Sequence, residues 1–290
     1  MRTSINSGSG SENRQSGFYG QLRLKPIEPV TVVLGGRLTD FDSRSRTRAP
    51  SPTPTDWAPG AFADRKFSGY AGLIYDVTKN ISVYGSYADI FTPNTAKDYT
   101  GKTLDPRVGG QQEVGIKGSW FDNRLNASVA AFRMDEINRP LSDPNNPGFS
   151  IASGKIKTRG WEAEVSGQLL HNIQVMGGYT LLTRQQAIAA SASLGQPISW
   201  WYPKHQYKLW ATYTVDQGPL SGLKIGGGVL HQTATRAGSG ASLLRVQPAY
   251  TVVNAMASYD ISKHVTAKFS IENIFDTKYM TRLGGTNTYN

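Results

Sequence analysis

The 290-residue chain contains no cysteine, which excludes disulfide staples, thiolate metal sites, iron–sulfur clusters and a thiol nucleophile. Only 38% of its residues are hydrophobic, and nowhere do they form the uninterrupted run of about 18 that a membrane-spanning helix needs. Helical spacing of apolar residues is almost absent, and only Gln185 to Leu194, with its alanines, reads as a short helix. The four histidines, His171, His205, His231 and His264, are scattered, and none is paired at a metal-ligand spacing. The start of the chain, Met1-Arg2-Thr3-Ser4 followed by the polar, glycine-rich stretch Asn6 to Ser11, lacks the apolar core of a signal peptide. Residues 1–14 therefore read as a flexible polar segment.

What is present is alternation with a period of two. Trp161, Ala163, Val165, Gly167 and Leu169 share one face, and Glu162, Glu164, Ser166 and Gln168 the other. Tyr207, Leu209, Ala211, Tyr213 and Val215 oppose Gln206, Lys208, Thr212 and Thr214 in the same way, as Val265, Ala267, Phe269 and Ile271 oppose Thr266, Lys268, Ser270 and Glu272. Twelve such segments are predicted, near 15–25, 29–43, 65–77, 80–91, 110–121, 124–137, 154–170, 172–184, 203–216, 222–235, 248–260 and 264–275. Their connections alternate in length: short turns alternate with long loops near 44–64, 92–109, 138–153, 185–202 and 236–247. One rim would hold the short turns and the other the long loops, as in an outer-membrane barrel with short periplasmic turns and long extracellular loops. A soluble sandwich or propeller uses shorter strands with a charged outward face, and no fixed repeat suggests a fibrous array. The predicted fold is all-β, an antiparallel up-and-down transmembrane β-barrel, with low hydropathy because half of each strand faces a wet lumen.

Catalytic and nucleotide-binding patterns are weak. Glu162 and Glu164 read as part of a charge ladder along the lumen rather than a catalytic carboxylate pair. Gly226-Gly227-Gly228 lacks the Lys-Ser/Thr of a phosphate loop and a following helix, so it reads as a close-packed or kinked strand. No Ser, His and Asp spacing singles out a rim hydrolase, and the chain is not expected to be an enzyme. There are 31 Lys and Arg against 21 Asp and Glu, a net charge of +10. Arg44, Arg46, Arg48, Arg65 and Lys66 cluster in or beside the first long loop, and Arg236 and Arg245 bracket the last complete one. Without a recognisable binding module, nucleic acid is not expected as a partner. On an extracellular rim these cations would be solvated, contact lipopolysaccharide phosphates, or draw in an anionic ligand. Trp57, Tyr99, Trp200, Trp201 and Tyr202 place large amphipathic rings in long loops, which suits a headgroup belt or a ligand pocket.

Four ordered strings resemble TonB-dependent siderophore receptors. Tyr84-Gly85-Ser86-Tyr87-Ala88-Asp89-Ile90-Phe91-Thr92-Pro93 is similar to a strand of that family. It is followed by Leu104-Asp105-Pro106 and then Gln112-Glu113-Val114-Gly115-Ile116-Lys117, by Gly160-Trp161-Glu162-Ala163-Glu164, and by Asn273-Ile274-Phe275-Asp276-Thr277-Lys278-Tyr279. The resemblance implies a barrel of about 22 strands filled by a plug, a ferric siderophore bound at the outer mouth, and uptake driven by TonB–ExbB–ExbD through the receptor's N-terminal region. Residues 15–276 would then supply about twelve strands of the larger barrel, a partial or open barrel with no plug domain, and 277–290 a truncated extracellular loop. The ligand would be met by Trp57, Tyr99, Trp201 and Tyr202 through stacking and by Arg236 through its charge. The siderophore is cargo, and no cofactor or metal is expected. Outer-membrane lipid and lipopolysaccharide would surround the barrel in the bacterial outer membrane. A passive porin-like channel and a nonfunctional receptor remnant are the alternatives.

Overall fold

Residues whose side chains alternate between apolar and polar can bury one face against lipid only if every backbone N–H and C=O is paired within the sheet, and the strand pairing follows that demand. The computed structural model describes residues 8–48, 56–188, 202–237, 245–282 and 288–289, and no helix occurs among them. The strands are β1 (Gly8–Ile27), β2 (Val30–Arg48), β3 (Ala58–Asp76), β4 (Ile81–Thr92), β5 (Arg107–Trp120), β6 (Leu125–Ser142), β7 (Ser150–Leu170), β8 (Ile173–Ile188), β9 (His205–Thr214), β10 (Lys224–Gln232), β11 (Thr235–Ala237), β12 (Arg245–Gln247), β13 (Tyr250–Ser262), β14 (Val265–Ile271), β15 (Met280–Arg282) and β16 (Thr288–Tyr289). Twelve of them form one antiparallel sheet in the order β1 to β10, then β13 and β14, while β11–β12 and β15–β16 are separate hairpins. The sheet is an open part of a barrel: β1 and β14 are its two edges and do not pair with each other.

Each of the twelve expected segments is a strand of this sheet, but several run further than the alternation indicates. β1 begins at Gly8, not near residue 15, because it pairs residue for residue with β2 as far as Gly8 opposite Arg48. Polar side chains do not interrupt a ladder made by backbone groups, and Glu12 adds ion pairs to Arg14 and Arg44. Gln185 to Ile188, read above as the start of a helix, extend β8 opposite Lys155 to Lys157 of β7; the rest of that stretch lies outside the described residues. In the C-terminal stretch expected to be a loop, Met280–Arg282 and Thr288–Tyr289 pair as a small hairpin.

The register fixes two faces. One carries Phe18, Leu22, Leu34, Leu38, Leu73, Val83, Val114, Ile116, Val129, Trp161, Val165, Leu209 and Phe269. The other carries Glu113, Glu162, Glu164, Lys117, Lys208, Lys224 and Lys268. The apolar face is the outer wall. On β7 it runs from Trp161 to the Leu169–Leu170 end; the eight steps from Trp161 to Leu169, at about 3.3 Å each and a tilt of about 40°, cover roughly 20 Å. With the rings at its ends, that approaches the ~25 Å apolar band of an outer-membrane barrel.

Glycine and aromatic residues are paired across strands. Trp210 lies over Gly226 and Gly228 of β10, Tyr84 over Gly115 of β5 and Phe132 over Gly160 of β7, so each ring occupies the space a side chain would take. The glycine triplet of β10 is thus close-packed strand.

Candidate functional site at the loop rim

The strand ends that the long connections join lie at one rim, and the connection between β4 and β5 (93–106) is described there throughout. Asn94 is buried and donates from Nδ2 to the carbonyl oxygens of Asp105 at 3.1 Å and Asn138 at 3.3 Å, which ties both ends of the loop to β6. Asn138 in turn donates to the Pro106 carbonyl at 3.1 Å. Within the loop the Asp98 carboxylate accepts the backbone N–H groups of Thr100 and Lys102 and the Thr100 hydroxyl. The Thr103 hydroxyl reaches the Gly60 carbonyl at 2.7 Å and the Ser150 N–H reaches the Lys97 carbonyl at 3.0 Å, so the loop is braced against β3 on one side and β7 on the other. Below it, Glu136 bridges Arg107 at 3.3 Å and Arg139 at 2.8 Å, joining β5 to β6 with one carboxylate between two guanidinium groups.

Hydrogen bonding, chiefly from the Thr100 hydroxyl, holds the Asp98 carboxyl below the usual carboxylate range, against a smaller opposing effect of desolvation. A depressed pKa means that the ordering is complete above the unfolded value, near 3.9, and fades as pH falls through the folded value. Hydrogen exchange of a complete receptor should show residues 98–104 losing protection as pH drops below about 4 while the strands keep theirs. Equal protection at pH 7 and pH 2.5 would remove Asp98 as the loop's organiser.

A second cluster forms where the chain passes over β12 and β13. Asn273, with φ of 52°, accepts the Thr277 N–H at 2.9 Å on its side chain and donates to the Thr277 carbonyl at 3.0 Å, closing a turn. The turn brings Tyr279 onto Tyr250, with centroids 4.4 Å apart and planes at 14°. Buried Gln247 accepts the Met280 N–H at 2.7 Å. His231, Thr251, Tyr250 and Tyr279 line the resulting cleft.

The residues expected to meet a ligand are distributed around this rim. Tyr99 is at the tip of the braced loop, 63% exposed, and Tyr202 is 54% exposed just ahead of β9. Arg236 is exposed on β11, opposite Val246 of β12. Trp57 is flanked by Arg44 and Arg46, whose guanidinium carbons lie 4.9 and 4.5 Å from its ring centroid. Arg44 and Arg46 share the sheet face of Leu34 and Leu38, which is the outer one. Trp201 lies outside the described residues. Asn94, Glu136 and Gln247 were not singled out from sequence. Pro93 and Pro106 flanking the loop were the available signal for Asn94, but nothing local marks Glu136 or Gln247.

The family model for the TonB dependent receptor-like β-barrel matches residues 2–274. The chain belongs to the TonB-dependent receptor β-barrel family. It is 34% identical over 277 residues to the ferric-pyoverdine receptor of a Pseudomonas strain, covering 93% of this chain and 33% of that receptor. It is 30% identical over 274 residues to the ferrichrome outer membrane transporter and phage receptor of Escherichia coli, covering 93% of this chain and 35% of the relative. The crystal structure of the ferripyoverdine receptor of Pseudomonas aeruginosa bound to ferripyoverdine superposes with a TM-score of 0.79 at 32% identity, covering 97% of this chain and 37% of that one. The chain spans about a third of the length of the curated relatives it matches. Its sheet is therefore part of a TonB-dependent outer-membrane barrel, with the rim of Asn94 and Tyr99 facing the outside of the cell and the short turns facing the periplasm.

Proposed function

We propose that this chain is part of the barrel of a bacterial outer-membrane receptor that captures a ferric siderophore at the loop rim and releases it inward under the drive of TonB–ExbB–ExbD. The reading is carried by the likeness, along 93% of the chain, to proteins named as receptors for ferric-pyoverdine and ferrichrome. The siderophore is cargo rather than a resident cofactor, and the work is transport, not catalysis. Tyr99, Trp201 and Tyr202 stack on the ligand, Arg236 meets its anionic groups, and Trp57 serves that rim by holding Arg44 and Arg46. The test is growth of an iron-limited strain on ferric siderophores with and without the gene, and with and without TonB. Uptake unaffected by loss of either would overturn the reading.

The lumen wall favours a plugged receptor over a passive channel. Phe132, Met176, Trp210 and Leu230 all face inward among the polar residues, and Met176 is 65% exposed. A water-filled pore would wet these side chains at about 25 cal/mol per Å² of apolar area, whereas a folded plug covers them. Outside, the apolar band meets outer-membrane lipid and lipopolysaccharide.

Replacing Trp201 and Tyr202 together by alanine in a complete receptor should weaken siderophore binding roughly tenfold, since each aromatic contact is worth about 0.5–1.5 kcal/mol. Titration of the two proteins with the same ferric siderophore measures this. Unchanged affinity would assign the pair to the headgroup belt.

A further inference from the structure

The outer wall changes character along one line. At one level of the register it carries Leu73, Gly85, Val114, Ala131, Trp161 and Leu181, which are successive cross-strand partners from β3 to β8 and all apolar. Two residues toward the extracellular rim the partners are Tyr87, Gln112, Arg133, Arg159 and Thr183. Arg133 and Arg159 thus stand directly opposite each other, side by side on the lipid-facing surface, one step above that apolar row and two steps below the apolar partners Phe91, Val108 and Ile137. Like charges in that position repel, and lipid below them cannot solvate them.

Only part of this charge is answered by the protein. Arg133 pairs with Asp135 at 3.0 Å. Asp135 in turn has Lys157 as its cross-strand partner on the same face, which leaves three cations around one carboxylate. The other carboxylate at this level, Asp89 on β4, is engaged by the Gly69 N–H at 2.8 Å and the Tyr87 hydroxyl at 2.9 Å. Arg159 is exposed, and no described side chain accepts a hydrogen bond from its guanidinium. Immediately below, Trp161 and Tyr179 lie in contact, with centroids 4.5 Å apart, and Tyr179 continues to Tyr207 at 4.6 Å. Such rings favour the level where acyl chains end and headgroups begin.

We propose that Arg133 and Arg159, supported by Lys157, form a binding site for the phosphate of an outer-leaflet lipid, with Trp161 and Tyr179 against the upper part of its acyl chains. A phosphate brings the negative charge that the two opposed guanidinium groups lack, and its oxygens can accept a forked pair of hydrogen bonds from each. A lipid rather than free phosphate is the occupant because the cations stand between apolar residues of the lipid-facing wall, where an acyl anchor adds its own burial. The inference uses only the outer-membrane placement from the function proposed above, not the identity of the cargo.

The test uses the complete receptor in neutral detergent, titrated with diphosphoryl lipid A, with dephosphorylated lipid A and with inorganic phosphate, and followed by thermal unfolding and by co-purified lipid in native mass spectrometry. Stabilisation by diphosphoryl lipid A alone is expected, with apparent affinity at least about tenfold weaker in R133Q/R159Q, as loss of two charge-assisted contacts implies. A Lys79→Gln control at the periplasmic rim should bind as the parent does. Equal stabilisation by the phosphorylated and dephosphorylated lipids overturns the proposal without any variant, so it stays testable even if the double variant misfolds. Equal loss in Lys79→Gln, or an equal response to inorganic phosphate, overturns it as well. Siderophore binding, measured in parallel, should be unchanged in R133Q/R159Q. A receptor that binds the lipid but no siderophore would refute the transport reading and leave this site standing.

Discussion

An arginine in place of Val165 is expected to destabilise the barrel by about 2–4 kcal/mol, the cost of a cation on the lipid face near the bilayer midplane. Val165 lies on the outer wall of β7, midway between Trp161 and the Leu169–Leu170 end, with Ala127 and Gly177 as its cross-strand partners. None of these neighbours offers a hydrogen-bonding side chain, and the guanidinium must stretch toward a distant headgroup layer. The measurement is urea unfolding of the complete receptor in lipid vesicles, read from its heat-modifiable mobility. Val165→Leu keeps the surface apolar and should change stability by less than about 1.5 kcal/mol. If Val165→Arg were as stable as Val165→Leu, β7 would not cross the membrane with this face outward.

The second large effect concerns the glycine triplet of β10. A Cβ added at Gly228 would fall on the Trp210 ring and lie 2.9 Å from the Leu209 carbonyl oxygen. Valine there must displace both an indole and a backbone strand, so a loss of about 3 kcal/mol, the upper end of ordinary overpacking, is expected. Gly227, one residue earlier, faces the other way, and its Cβ would meet nothing nearer than the Asn254 carbonyl oxygen at 3.6 Å. Gly227→Ala should therefore be tolerated with a change below about 1 kcal/mol. Combining Gly228→Val with Trp210→Ala should recover part of the loss, because the ring is part of the obstacle, and the shortfall from additivity measures the contact. A Gly228→Val receptor that assembles like the parent would show that Trp210 does not occupy that space.

These expectations rest on a division between what alternation records and what it cannot. Which residues face lipid and which face the lumen was legible from the chain, because the period of a strand is two and the membrane imposes a sharp contrast between its faces. The asymmetry of turns and loops was legible for the same reason. Strand ends were less so: the ladder from Gly8 to Arg48 and the extension of β8 to Ile188 continue through polar residues, since backbone hydrogen bonds do not depend on what the side chains prefer. Among the site residues, Tyr99 and Tyr202 announced themselves as aromatic rings in loops. Asn94 and Gln247 did not, because a buried amide matters through partners 44 or 33 residues away, such as Asn138 and Met280.

The sequence by itself determined that this chain makes long alternating antiparallel strands, that one face is greasy and the other wet, and that the four ordered strings point to the TonB-dependent receptors. Only the tertiary structure decided the register. That register puts Arg133 beside Arg159, seats Trp210 on Gly228 and sets Glu136 between Arg107 and Arg139. The physical reason is that alternation assigns a residue to a face, whereas its neighbours on that face are chosen by how far each strand has slid past the next. A slide of two residues preserves every face while changing every pair.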